Sequence, residues 1–365
     1  MAVRLLGQLD RDALEKALNE IIRRHEVVRT SFTVKDGMAV QIVTPEYSIA
    51  LPLVDLSDAT LESVCTTEGQ HSFDLEKLPL VRFRLLRLTE NEHALLLTMH
   101  HIISDGWSLG VITQELASLY QAFTTDQPSP LPELPVQYAD FANWQREWLT
   151  GEVLENQIAY WKKQLGQIAN LELPTDRPRP PVQSFRGARR FFTLPADLTE
   201  SLGSFSRREG VTLYMLMLAA FKVLLNRYTN QDDIVVGTDI ANRNRSEIEP
   251  LIGFFANQLV LRTSLDGNPT FRELLGRVRE VTLGAYAHQD MPFEKLVEEL
   301  APERDLSRNP LFQVMFIFQN NPMPALEIGD LAIEPIEMTE ATTAFDITLA
   351  LNQTPNGDIR GSVRY

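Results

Sequence analysis

The sequence predicts a mixed α/β (α+β) chain of two lobes, on three observations. At 365 residues the chain exceeds the size at which one hydrophobic core usually suffices. Short apolar strands alternate with amphipathic helices along its length. Two proline clusters punctuate it, and the second, Pro174, Pro178, Pro180 and Pro181, marks the predicted boundary. The expected division is an N-terminal lobe over 1–173, a linker over 174–186 and a C-terminal lobe over 187–365.

The elements follow from local pattern. Residues 3–9 read as a strand, and Asp10 is placed to cap a helix with Leu14, Leu18, Ile21, Ile22 and His25 on one face. In 81–88, Val81, Phe83 and Leu85 alternate with Arg82, Arg84 and Leu86, a half-exposed strand. The next segment, 94–99, is almost wholly apolar and is predicted to be central. Ser108 is expected to cap a helix carrying Ile112, Leu116, Leu119, Tyr120 and Phe123. Pro128, Pro130, Pro132 and Pro135 form a surface loop before an aromatic helix with Tyr138, Phe141, Trp144 and Trp148. Beyond the second cluster come a strand at 189–194, a largely buried helix at 211–228 and a strand at 233–239. Helices at 271–287 and 293–300 and strands at 311–319 and 344–352 follow. No internal repeat, heptad or low-complexity tract is present.

Composition excludes several functions. The net charge of −15 argues against nucleic acid or an anionic membrane as main partner, since neither gains from a negative field. The longest apolar run, from Leu213 to Phe221, stops at Lys222 and is too short to span a bilayer. With no secretory pattern at the N-terminus, a cytoplasmic protein is expected. Cys65 is the only cysteine, so no intrachain disulfide forms. No metal site is expected, because the adjacent His100 and His101 point in different directions.

The chemistry concentrates in His100-His101-Ile102-Ile103-Ser104-Asp105-Gly106, on a connection from strand to helix. Histidine is the side chain whose pKa suits proton transfer near neutrality. His100 follows directly from a buried strand, so His101, pointing the other way, is the better base. Asp105 either orients His101 or holds the loop through an arginine, and the arginine reading is favoured. Gly106 permits close approach of backbone or substrate. No nucleophile elbow, P-loop or glycine-rich dinucleotide turn is present.

The His-His-three-residues-Asp-Gly pattern resembles the signature of condensation domains from nonribosomal peptide synthetases, within a superfamily resembling chloramphenicol acetyltransferase. Five further segments resemble the family's other motifs in order. They are Arg24 to Phe32, Tyr138 to Trp144, Ile252 to Leu259, His288 to Glu294 and Arg304 to Phe312. Both histidines are kept where heterocyclising relatives carry aspartate. Gly106-Trp107-Ser108 resembles the subtype joining an L-configured donor to an L-configured acceptor. A first motif ahead of residue 3 and a closing helix after Tyr365 are absent, so the chain is expected to be cut at both ends.

The resemblance implies two chloramphenicol acetyltransferase-like lobes in a V-shaped pseudodimer with a tunnel between them. It implies amide formation between two thioesters on the 4'-phosphopantetheine arms of carrier domains, with no cofactor bound by the domain itself. His101 then takes a proton from the attacking amine or stabilises the charge formed during attack. His100, Asp105 and Gly106 complete the catalytic set, with Gly106 presenting its N–H beside the reacting centre. Arg24 and Arg29 are candidates to pair with Asp105. Trp107 and Ser108 are candidates to bind substrate, and Asn257 and Gln258 either line the tunnel or pack their strand. The implied partners are donor and acceptor peptidyl carrier domains and an adjoining adenylation domain. A free-standing acyltransferase with a soluble acceptor, or a non-catalytic recruitment platform, are the alternatives.

Overall fold

In the computed structural model of the chain, all residues are described except 57–59, 301–304, 320–326, 329–330 and 337–341, and of 327–328 only the backbone. The chain divides into two compact units. The first comprises Met1–Glu147, Arg243–Ala256 and Met323–Thr339, and the second comprises Trp148–Asn242, Asn257–Pro322 and Glu340–Tyr365.

The first unit is built on a six-stranded sheet in the order Glu327–Ile328, Leu331–Pro335, Ala2–Leu6, Glu92–Met99, Val81–Thr89 and Leu53–Asp55. All neighbours are antiparallel except the last pair. The apolar segment at 94–99 lies inside this sheet, as its composition requires: Ala94 to Leu97 are all buried. Asp10 caps the helix Arg11–Arg24 by accepting from the Ala13 N–H at 2.9 Å. That helix buries Leu14, Leu18, Ile21 and Ile22 in the same core as Ile112, Leu116, Leu119 and Tyr120 of the helix Gly106–Phe123.

The second unit holds its own six-stranded mixed sheet, in the order Arg189–Leu194, Ile359–Arg364, Ile347–Gln353, Val314–Gln319, Asp233–Ile240 and Asn257–Ser264. The helices Leu213–Thr229 and Phe271–Ala287 supply Leu216, Ala219, Leu274 and Val278 to its core. Thr270 and Glu273 form a reciprocal capping box at the start of the latter.

Three expectations are corrected. The boundary falls at 147/148, not in the 174–186 linker, because the helix Gly151–Leu165 buries Trp161 and Leu165 in the second core. The prolines there mark a loop laid onto that unit, where Arg179 pairs with Asp346 and donates to the Ser307 carbonyl at 3.1 Å. Two later pieces of chain, moreover, belong to the first unit. The helix after the histidines is capped by Asp105 and starts at Gly106, so Ser108 is its third residue and not its cap. No single helix among the described residues is long and apolar enough to cross a membrane.

Candidate active site

The strand Glu92–Met99 delivers His100, and a single 3-10 turn, His101–Ile103, carries the chain into the helix Gly106–Phe123. His100 is half-buried and caps that turn: its Nδ1 accepts from the Ile102 N–H at 3.0 Å, and its ring meets Phe73 edge-on at 6.0 Å. His101 is exposed and makes no imidazole hydrogen bond among the described residues. Its ring meets the Phe254 ring at 5.0 Å, with the planes 74° apart.

Asp105 does not touch His101. It is 5% exposed, and each carboxylate oxygen collects donors. Oδ1 accepts from the Ser108 N–H at 2.8 Å, the Ser108 hydroxyl at 2.7 Å and Arg243 Nη2 at 3.3 Å. Oδ2 accepts from the Phe255 and Ala256 N–H groups at 3.0 and 3.2 Å. Asp105 therefore has a buried arginine partner, and that partner is Arg243.

Arg24 and Arg29 do not fill this place. Arg24 lies against Glu115 at 3.0 Å and donates to the Pro132 carbonyl, while Arg29 donates to the Thr44 carbonyl and pairs with Glu26. Burial alone would raise the Glu115 carboxyl, but His25 and Arg24 outweigh it and hold it below the usual carboxylate range. Arg243 was missed because it stands 138 positions from Asp105 and outside every segment the resemblance singles out. Its Nη1 donates to the Ile248 and Leu251 carbonyls at 2.6 and 2.7 Å, and its guanidinium lies 4.1 Å from the centre of the Phe255 ring. Burial pulls its pKa below the ordinary arginine value, and Asp105 opposes that.

Ser108 is fully buried at 0% exposure, and its hydroxyl is spent on Asp105 Oδ1 and on Gly253, whose N–H it accepts at 3.1 Å. It ties the helix to the chain at 253 and has no face for substrate, which corrects its expected role. Trp107 is 43% exposed; its indole N–H donates to the Glu249 carbonyl at 2.9 Å, and the Arg243 guanidinium lies 5.8 Å from the centre of its ring. Gly106 has an ordinary negative φ, and a Cβ added there would meet nothing within 4 Å. Neither conformation nor internal packing requires glycine at this position. The absence of a side chain leaves room beside the loop for something outside the chain.

Asn257 and Gln258 fall in the second unit. The Asn257 amide donates to the Gln289 and Met291 carbonyls, both at 2.8 Å, and its oxygen accepts from the Phe293 N–H at 3.0 Å. It is 9% exposed and fully engaged, so packing is the correct reading. Gln258 donates across the strand pair to Asp239 at 3.2 Å. Two of the segments that carry the resemblance, Tyr138 to Trp144 and Ile252 to Leu259, meet: Tyr138 and Phe141 pack on Phe255 at 5.1 and 4.7 Å between ring centres. The segment Arg304 to Phe312 begins at a residue that lies outside the described residues. Among the described residues no cluster of three or more His, Cys, Asp or Glu side chains is placed to hold a metal.

A buried aspartate thus holds the strand-to-helix turn that carries an exposed histidine. The condensation-domain family model matches residues 1–365, and the chain belongs to that family. It is 50% identical to one of the proteins that make up the linear gramicidin synthase of Brevibacillus parabrevis, over 97% of its own length, and spans 7% of that protein. Among solved structures it resembles the X-domain in a complex with OxyB from teicoplanin biosynthesis (32% identity, TM-score 0.91, all of this chain and 82% of that one). It also resembles the condensation domain of the monacolin K polyketide synthase MokA (25% identity, TM-score 0.85, all of this chain and 85% of that one). Condensation domains of synthetases of this kind catalyse amide-bond formation, an acyl transfer.

Proposed function

We propose that the chain joins a donor acyl or peptidyl thioester on one carrier domain to the amine of an aminoacyl thioester on a second. The observation that carries this is the exposed His101 imidazole, free of hydrogen bonds among the described residues, on a loop anchored by the buried Asp105–Arg243–Ser108 knot. The acceptor amine attacks the donor carbonyl, the C–N bond forms, and the C–S bond breaks to leave the donor carrier's thiol. His101 takes the proton that the nitrogen sheds, or stabilises the charge formed as it attacks. The Gly106 N–H begins the helix Gly106–Phe123 with no partner within the helix, and the open space at Gly106 lets a carbonyl oxygen approach it. His100 acts through the turn it caps, and Asp105 through the loop it locks.

Substrates arrive on 4'-phosphopantetheine arms in this reading, and the domain holds no cofactor of its own. The partners are donor and acceptor carrier domains and an adenylation domain, in the cytoplasm. Trp107 lends its ring surface to the substrate, and the Trp107-Ser108 continuation supports an L-configured donor and acceptor. The likeness to an X-domain found in complex with OxyB gives the platform reading an observation of its own.

One experiment separates these readings. The chain is mixed with two loaded carrier domains, and the tethered products are weighed by mass spectrometry. Dipeptide on the acceptor carrier is expected, and His101→Ala is expected to lower single-turnover condensation at least about a hundredfold with unchanged melting. Product released into solution would favour the free-standing acyltransferase. Carrier binding without any product would favour the platform.

A further inference from the structure

Condensation needs the His101 imidazole in one orientation, yet among the described residues no hydrogen bond fixes it. An imidazole on an exposed turn samples three staggered χ1 wells and a two-fold χ2, about six arrangements. Phe254 is what meets the ring, at 5.0 Å. It is 37% exposed, and a single exposed phenyl is ordinary on a protein surface. The backbone that carries it is not ordinary.

Five consecutive residues around Phe254 are tied down by side chains. The Ile252 N–H donates to His25 Nδ1 at 3.3 Å, and the Gly253 N–H to the Ser108 hydroxyl at 3.1 Å. The Tyr138 hydroxyl donates to the Phe254 carbonyl at 3.0 Å, and the Phe255 and Ala256 N–H groups donate to Asp105. Close packing shuts out alternatives as well: a Cβ at Gly253 would lie 2.4 Å from the Tyr138 ring and 2.7 Å from that of Phe255. His25 is itself fixed, because Nδ1 accepts and Nε2 therefore carries the proton toward Glu115 at 3.0 Å. Asp105 and Ser108 belong to the same loop and helix that carry His101. One knot thus sets the base of the imidazole and the base of the phenyl ring that meets it.

We propose that Phe254 is a positioning residue for His101, its ring contact confining the imidazole to the orientation used in condensation. The proposal rests on the function given above, in which His101 serves the attacking amine. Confining about six arrangements to one raises the productive fraction of enzyme by up to about sixfold.

The full chain and its Phe254→Ala, Phe254→Leu and Phe254→Tyr variants test this in two independent ways. Single-turnover condensation is followed at varied acceptor-carrier concentration. The His101 side-chain rotamer is read from scalar couplings in histidine-labelled protein. Phe254→Ala is expected to lower the saturated rate roughly three- to sixfold, leave KM and melting unchanged, and average the His101 couplings. Phe254→Leu is expected to fall between, and Phe254→Tyr to restore both readouts. Couplings that stay those of one rotamer in Phe254→Ala would overturn the proposal. So would a raised KM at unchanged rate, which would make Phe254 a wall of the substrate site. The two readings fail separately. A parent that forms no product, with couplings that still average on removing the ring, would sink the function and keep the orientation.

Discussion

Arg243 and Lys222 are buried cations, one in each unit, and they are held in opposite ways. Arg243 has a carboxylate at 3.3 Å, two backbone carbonyls and an aromatic face. Lys222 is fully buried in the helix Leu213–Thr229 with oxygens only: the Leu261 carbonyl at 2.6 Å, the Thr263 hydroxyl at 2.9 Å and the Ile234 carbonyl at 3.4 Å. Those oxygens suit the three protons of an ammonium, but burial pushes the group down to about 7, and Asp233 offsets only part of this. The pairing in the first unit spends a carboxylate to join the histidine loop to residues 243–256. Lys222 joins a helix to two strands of its sheet without one, and it makes that unit's stability depend on pH.

The largest effect is expected from breaking the paired site. Asp105→Ala leaves the Arg243 charge uncompensated and orphans the Phe255 and Ala256 N–H groups, at a cost of about 3 to 5 kcal/mol. Against a net stability of about 5 to 15 kcal/mol for a typical domain, calorimetry should show a marked loss of melting temperature. Unchanged melting with abolished condensation would instead place Asp105 in the chemistry.

Ser108→Ala tests the same knot more gently. It removes the hydroxyl shared by Asp105 and Gly253 without leaving a bare charge, so denaturant titration should show a loss of about 1 to 3 kcal/mol. A loss as large as that of Asp105→Ala would mean that the hydroxyl, and not the ion pair, holds the loop.

Lys222 gives the contrasting pH dependence. Its folded pKa of about 7 lies below the unfolded value of 10.5, so between those limits the unfolded chain binds the extra proton. Its contribution to stability therefore rises with pH in that window, by up to about 1.4 kcal/mol per pH unit. Denaturant titrations of the parent and Lys222→Met at pH 7, 8 and 9 isolate the term, since other groups cancel in the difference. A difference that does not change over this range would show that the three oxygens keep the ammonium at its usual pKa.

The smallest effect on stability is expected at Gly106, where an added methyl meets nothing. Gly106→Ala should shift the folding free energy by less than about 1 kcal/mol. If substrate fills the space, condensation falls while melting holds. Retained rate would leave Gly106 without a role in the reaction.

Local pattern revealed the elements well where it had to satisfy one helix or strand. The helices at 271–287 and 293–300 fall on Phe271–Ala287 and Phe293–Leu300, and the cap at Asp10 is in place. What stayed hidden was decided by distant chain. Asp105 and Ser108 are both good caps by type, and only the donors from 243–256 show why the aspartate takes the cap and the serine is buried. Asn257 carries no mark of its partners at 289–293. The strand-to-helix connection at His101 was legible because its neighbours in sequence are its neighbours in the turn. The 147/148 boundary was not, because prolines report a loop and not which core it lies against.

The lock on the histidine loop also has a timetable. Asp105 leaves the ribosome 138 residues before Arg243, and ribosomes add about 5 to 20 residues per second. For roughly 7 to 28 s of synthesis the loop exists without the arginine that closes it. The Phe255 and Ala256 amides that complete the carboxylate's shell come later still. A nascent chain stopped anywhere between residues 105 and 255 thus holds His100, His101 and Asp105 but not the full set of donors that closes around the carboxylate.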